Sequence, residues 1–418
     1  MPPPSSQCPR TADGADVLHS LTDSLTSLTH SLTAAGLAGF DAYIDGMVVR
    51  ASLGQRGDAA EVLRQVAVWL VPGAGEVDPL SNPDQAEVLV ELARSHKLTG
   101  PLLVAVDAGA LHLPADQVQR LVDEHEKAML WCMRLETALL DVAEVFERGG
   151  VSEFRVLKGG AAAHLDEPDP SLRFTSDLDL LVRSRDFDAA VSALMGSGAT
   201  RTHVERRPGF DHRFAKGLPL KRQNDRVTVD LHRTLVQGPF AVRTDPDRLF
   251  DDPEPFEVGG QRFLALPAWG RVLNSAYHAA VNGPIAPLRN LRDLAQYLSR
   301  PDLEPEVVAA EAARWRGEAV LERAVRLTLE SLPVEIPVWE QWLESVEVDP
   351  ADRALLLRGH RPSRWPVQWA TLREMPLRDR AAYLFALAVP SAEYRRAEGD
   401  LFRRRISRVR NLMRPAPV

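Results

Sequence analysis

Two aspartates, Asp177 and Asp179, stand two residues apart inside an otherwise apolar run, SDLDLLV. On a strand alternate side chains share a face, so these two project together while Leu178 and Leu180 point into a core. Like charges held side by side at the edge of a core are costly unless a cation or a base neutralises them. A second run, RVTVDLH, alternates cleanly, with Val227, Val229 and Leu231 on one face and Thr228, Asp230 and His232 on the other. If the two strands are neighbours, three carboxylates meet at one point. That requirement is a sheet built from segments about fifty residues apart, and it rules out an all-helical middle.

The rest of the chain divides around that sheet. Residues 1–14 are rich in Pro and Ser and read as a disordered lead-in. Residues 15–150 form a helical N-terminal region. Leu18, Leu21, Leu25, Leu28 and Leu32 make a helical seam, EVLVELARSHKL is helical, and a long helix runs from about Pro114 until Gly149 and Gly150 stop it. Residues 151–265 are the α+β core. FRVLKGG is a strand ending in a glycine turn, and DFDAAVSALMGSG is a helix closed by Gly198. Alternating segments from Thr200 to His232 suggest an antiparallel meander, and VGGQ suits a hairpin turn. Residues 266–418 return to helices with Pro-rich breaks.

Composition excludes several classes. With 418 residues, 50 Lys plus Arg and 58 Asp plus Glu, the net charge is -8, which gives no global attraction to nucleic acid or anionic lipid. Cys8 and Cys132 are the two cysteines, so neither a disulfide framework nor a cysteine zinc site is readable. The N-terminus lacks the apolar segment of a secretory signal, and no stretch reaches the length of a membrane span. The expectation is a cytoplasmic protein without a membrane span.

The chemistry concentrates in the middle region. Hard oxygen ligands from Asp177, Asp179 and Asp230 suit Mg²⁺, with Mn²⁺ as an alternative, and two such ions can activate a hydroxyl and stabilise a leaving pyrophosphate. Gly159 and Gly160 let backbone N–H groups approach phosphate oxygens at the start of a short helix. Lys158 and Arg173 flank that turn and can neutralise phosphates, and Ser176 can bond a phosphate or fix Asp177. Each has a plainer reading: the D-x-D pair as a solvated strand edge, Asp230 paired with Arg226 or Arg233, the glycines as a tight turn, the cations as surface charge, Ser176 as a local cap. His232 either orients Asp230 or is structural. His278 and Asn282, and Arg289 and Asp293, stand four apart on helices, and a local interdomain hydrogen-bond cluster is their plainer reading. The arginine-rich run LFRRRISRVRNLMR reads first as a solvated terminal helix.

The series LKGG, RFTSDLDLLV and VDLH resembles the signature of the DNA polymerase β nucleotidyltransferase superfamily. More narrowly it is similar to an uncharacterised bacterial nucleotidyltransferase family with the pattern LKG…R…DxDLLV…VDLH. The segments ELARSHKLTGPLL, AYHAAVNGPIAPLRNLRDLAQYL and AVPSAEY extend the likeness over roughly residues 85 to 415. The resemblance implies a polymerase β-like core with helical flanks, metal ligands at Asp177, Asp179 and Asp230, and a phosphate turn at Gly159 and Gly160. Two departures stand out: sixteen residues separate Gly160 from Asp177, and the second turn residue is Gly rather than Ser.

The implied activity is Mg²⁺-dependent transfer of NMP from an NTP, expected to be ATP, releasing pyrophosphate. The acceptor would be a hydroxyl or phosphate of a small molecule or modified peptide. One alternative is a tRNA nucleotidyltransferase resembling abortive-infection toxins. Another is a non-catalytic nucleotide-binding scaffold.

Overall fold

The computed structural model describes residues 57–281, 286–359 and 365–397. The Pro/Ser-rich start, the leucine seam, Asn282 and the arginine-rich C-terminal run lie outside the described residues.

Among the described residues four helices come first: α1 (Asp58–Ala67), α2 (Ala86–His96), α3 (Thr99–Asp107) and α4 (Ala115–Arg148). The α+β segment follows with β1 (Phe154–Val156), α5 (Lys158–Leu165), β2 (Leu178–Val182), α6 (Phe187–Gly196), β3 (Thr200–Arg201), α7 (Phe210–Phe214), β4 (Gly217–Lys221), β5 (Thr228–His232), α8 (Pro239–Arg243), β6 (Pro255–Val258) and β7 (Gln261–Leu264). Helices then return as α9 (Ala268–Val281), α10 (Leu288–Leu298), α11 (Pro305–Arg314), α12 (Glu318–Ser331), α13 (Pro337–Ser345), α14 (Pro350–Gly359), α15 (Trp365–Glu374) and α16 (Leu377–Ala388). The fold is α+β, with helical segments before and after a mixed sheet.

The sheet order is β1-β2-β5-β4-β3. Strands β2 and β5 are parallel, and the β1–β2, β4–β5 and β3–β4 pairs are antiparallel. The meander expected between Thr200 and His232 is present, interrupted by the short α7. VGGQ turns the β6–β7 hairpin, with Gly259 and Gly260 at φ 57° and 77°, the left-handed pair that such a turn requires.

One face of the sheet, carrying Leu178, Leu180, Val182, Val229 and Leu231, packs on α4 and α6. Helix α4 presents a helical-period stripe of buried residues to it, including Leu135, Leu139, Val142 and Phe146. The opposite face contributes Leu181 to a larger core shared by α1–α3 and α9–α12. Packing therefore departs from chain order. Helix α4 belongs with the sheet, while helices from before and after the α+β segment pack together.

Buried charge holds this seam. Arg292 on α10 donates from Nε and Nη2 to both carboxylate oxygens of Glu167 at 2.9 and 2.7 Å, and from Nη1 to the carbonyls of Ala67 and Trp69 at 2.9 and 3.0 Å. Both side chains are almost wholly buried. A fork-to-fork pair with all three guanidinium nitrogens engaged survives burial, and losing one partner leaves the other charge stranded. Glu167→Gln is expected to lower unfolding stability by about 3–5 kcal/mol, read from the denaturant midpoint.

Candidate active site

The parallel register sets Asp179 directly opposite Asp230. With Leu180 and Leu231 turned toward α4 and α6, both carboxylates leave the sheet on the opposite face, the one that carries Leu181. Asp177 precedes the first residue of β2 by one, so it lies just outside the strand in which it was expected. Its Oδ1 accepts from Ser176 Oγ at 2.9 Å. Ser176 thus fixes the carboxylate, and its hydroxyl is engaged there.

The core of the site is Asp179, Asp230 and His232, whose nearest ligand atoms all fall within 4.8 Å of one another. His232 is fully buried and its Nε2 lies 2.6 Å from Asp179 Oδ1 and 3.1 Å from Asp230 Oδ2. With Nε2 donating, one imidazole bridges both acids, while the buried Nδ1 has no hydrogen-bond partner among the described residues. Lys158 Nζ donates to Asp179 Oδ1 at 2.9 Å. Burial raises the affinity of Asp179 for a proton, but Lys158 and His232 outweigh it and hold the carboxyl well below its usual range. Burial likewise opposes ionisation of Asp230, and His232 overcomes it. For Lys158, burial works against the ammonium, and Asp179, Asp177 and Asp230 more than compensate.

The donor set fits a hard divalent cation: carboxylates on adjacent parallel strands, one buried and one half-exposed, with Asp177 at the strand entrance. Asp177 is absent from the tight Asp179–Asp230–His232 group, so it would act from the rim. Carboxylate oxygen suits Mg²⁺ or Mn²⁺, whereas imidazole favours softer ions, which casts His232 as the bridge that orients the acids.

The glycine turn has a packing explanation of its own. Gly159 and Gly160 fall in the first turn of α5, where N–H groups have no partner within the helix. A Cβ on Gly159 would lie 2.2 Å from Thr175 Oγ1 and 2.8 Å from Thr175 Cγ2, so Gly159 is required by the loop that delivers Asp177. Gly160 lines a solvent-open cleft of about 500 Å³ together with Thr175, Asp177 and Asp179.

Arg173 is placed differently from the phosphate contact expected of it. It is buried, its Nε and Nη2 each meet an Asp293 carboxylate oxygen at 2.6 Å, and Nη1 donates to the Phe174 carbonyl at 2.5 Å. Asp293, on α10, therefore ties the helical segment to the acid-bearing loop. Helix α4 holds the same loop from the other side, through Trp131 Nε1 to the Ser176 carbonyl at 3.0 Å.

Sequence reasoning passed over Lys97 and Lys216 and treated Arg289 as half of a helical pair. Lys97 ends α2 in the left-handed conformation, φ 59°, and its ammonium lies 5.1 Å from the Phe174 ring centroid. Burial first, then Arg289, bring Lys97 down to about 7. Burial and Lys158 bring Lys216 down to about 8, and burial with Arg173 brings Arg289 down to about 10. His278 falls well below its ordinary value through burial and the nearby Lys158, Arg289 and Lys216. Nothing in the sequence around Lys97 or Lys216 marks either residue, and the left-handed backbone at Lys97 is visible only in the structure.

A model of the family described as "Uncharacterised nucleotidyltransferase" matches residues 82–333. The chain belongs to this family. It is accordingly an enzyme of nucleotidyl transfer. No curated protein matches it. Among solved structures, one described as the crystal structure of an antigenic nucleotidyltransferase-like protein from Paracoccidioides brasiliensis is 16% identical, over 50% of this chain and 97% of that one, with a TM-score of 0.29. No helix among the described residues is long and apolar enough to cross a membrane.

Two outcomes check this geometry. Gly159→Ala is expected to cost about 1–3 kcal/mol by overpacking against Thr175. Thr175→Ala in the same chain should recover part of that loss, a coupling visible in a double-mutant cycle of denaturant midpoints. The second concerns pH. Lys97 falls from its ordinary 10.5 to about 7 on folding, so between those values the unfolded chain binds more protons and stability rises with pH. Lys97→Met should remove that rise, and urea titrations from pH 6 to 10 would show wild type gaining on the variant only above about 7.

Proposed function

We propose that the chain transfers NMP from an NTP, with ATP as the expected donor, to a hydroxyl or phosphate of a small molecule or modified peptide, releasing pyrophosphate. The observation that carries this reading is the register of β2 on β5, which sets Asp179 beside Asp230 with Asp177 at the strand entrance. Asp177, Asp179 and Asp230 would hold the divalent ions. Bound there, such ions polarise the phosphate under attack and favour the ionised form of an acceptor hydroxyl.

The protein's own groups then have distinct tasks. Asp230, half-exposed where Asp179 is buried, is the carboxylate able to take the acceptor proton. His232 fixes the orientation of both acids, and Lys158 keeps Asp179 ionised. The first-turn N–H groups at Gly159 and Gly160 receive phosphate oxygens. Arg173, locked on Asp293, positions the loop and leaves the phosphates to other cations. The helices facing this side of the sheet supply the acceptor pocket.

The test incubates the purified chain with each α-labelled NTP and Mg²⁺, offering tRNA, peptide or small-metabolite extract. Label is expected in the small-molecule or peptide pool. Asp230→Asn and Asp179→Asn should each lower the rate by about 10²-fold or more. Label appearing on tRNA would replace the acceptor assignment, and full activity in Asp179→Asn would overturn the metal ligands.

A further inference from the structure

We propose that Lys97, Lys216 and Arg289 form an anion-binding wall that takes the polyphosphate of the nucleotide donor, an assignment that rests on the nucleotidyl-transfer reading above. The argument begins with what the core side has left to offer. Lys158 is engaged by Asp179, Arg173 by Asp293, and Ser176 by Asp177. These three side chains, expected to meet phosphate, already serve the protein's own acids, while the donor brings several further negative charges.

Three cations remain. Among the described residues neither Lys97, Lys216 nor Arg289 makes an ion pair, and the guanidinium of Arg289 reaches only the neighbouring Asn290 amide at 3.3 and 3.4 Å. Lys158, Arg173 and Arg292, by contrast, each meet a carboxylate. Enclosing a cation without a counter-charge is costly, and three together are costlier still because they repel. Each keeps an intermediate exposure while being crowded by protein, as groups on a cleft wall do.

The fold brings them there from three directions. The Leu288 amide donates to His96 Nδ1 at 3.4 Å, docking the start of α10 on the end of α2, so the next residues, Arg289 and Lys97, become neighbours. Lys97 lies against Phe174, three residues before Asp177. Lys216 extends the β4–β5 ladder beyond His232, its carbonyl accepting from the Arg233 and Thr234 amides at 2.8 and 3.2 Å. Asp177 acts on all three cations, and Asp179 also acts on Lys216 and Arg289. The wall therefore borders the two segments that carry the acids, and a polyphosphate between them would neutralise it.

The experiment titrates the full chain, with Mg²⁺, with a non-hydrolysable ATP analogue, with adenosine and with inorganic tripolyphosphate. Lys216→Met and Arg289→Met should each weaken analogue and tripolyphosphate binding about tenfold or more, with adenosine unchanged. The salt dependence of analogue affinity should become shallower in both. Arg289→Lys, which keeps the charge, should retain most of the affinity, separating lost charge from lost structure, and the exposed Arg148→Met should behave as wild type. Without ligand, neither Met change should lower the melting temperature, because each relieves repulsion. Unchanged analogue affinity in both Met variants would overturn the wall and leave nucleotidyl transfer standing. A wild-type chain that binds no nucleotide would overturn the transfer reading and the wall's ligand with it. A higher KM for the acceptor alone would move the wall to an acceptor phosphate and overturn the donor assignment.

Discussion

The parallel pairing of β2 with β5 places two carboxylates side by side, and much of the surrounding structure answers the repulsion this creates. His232 is buried on the same strand as Asp230 and bridges both acids. Lys158 adopts a left-handed backbone at the start of α5, φ 45°, and its ammonium meets Asp179. A non-glycine residue in that conformation is strained, and such strain persists where the surroundings over-determine it. The strand pair thus dictates the turn beside it as well as the chemistry on it.

The next layer fixes the loop that carries Asp177. Thr175 fills the space that a side chain at Gly159 would need. Trp131 on α4 and the Arg173–Asp293 pair hold the loop from opposite sides of the sheet. The rim acid is therefore positioned by two packing units at once, and the helical segments contribute directly to the active centre.

Local pattern made the sheet legible. Strict alternation in RVTVDLH gave the strand and its polar face, and glycine pairs marked the end of α4 and the β6–β7 turn. Fold class, the strand-borne acids and the helical flanks could be read because each depends on neighbours in sequence. The packing could not, since α4 has one amphipathic pattern whether it faces the sheet or other helices. The fate of Arg173 was hidden for a related reason: its partner Asp293 lies 120 residues away, and nothing local distinguishes a phosphate-binding arginine from one enclosed in an ion pair. Lys97 and Lys216 carry no motif at all. Only the meeting of α2, β4 and α10 brings them near the acids.

The reach of Arg292 has a consequence for how the polypeptide acquires its shape. It contacts the Ala67 carbonyl across 225 residues and anchors a core to which both ends of the described chain contribute. Closing so long a loop is entropically unfavourable and slow compared with local helix or hairpin formation. During synthesis α1–α3 leave the ribosome long before α10 exists, and their apolar faces have no partner in that interval. Nascent chains paused before residue 288 should therefore engage hydrophobic-surface chaperones, with release following emergence of α10.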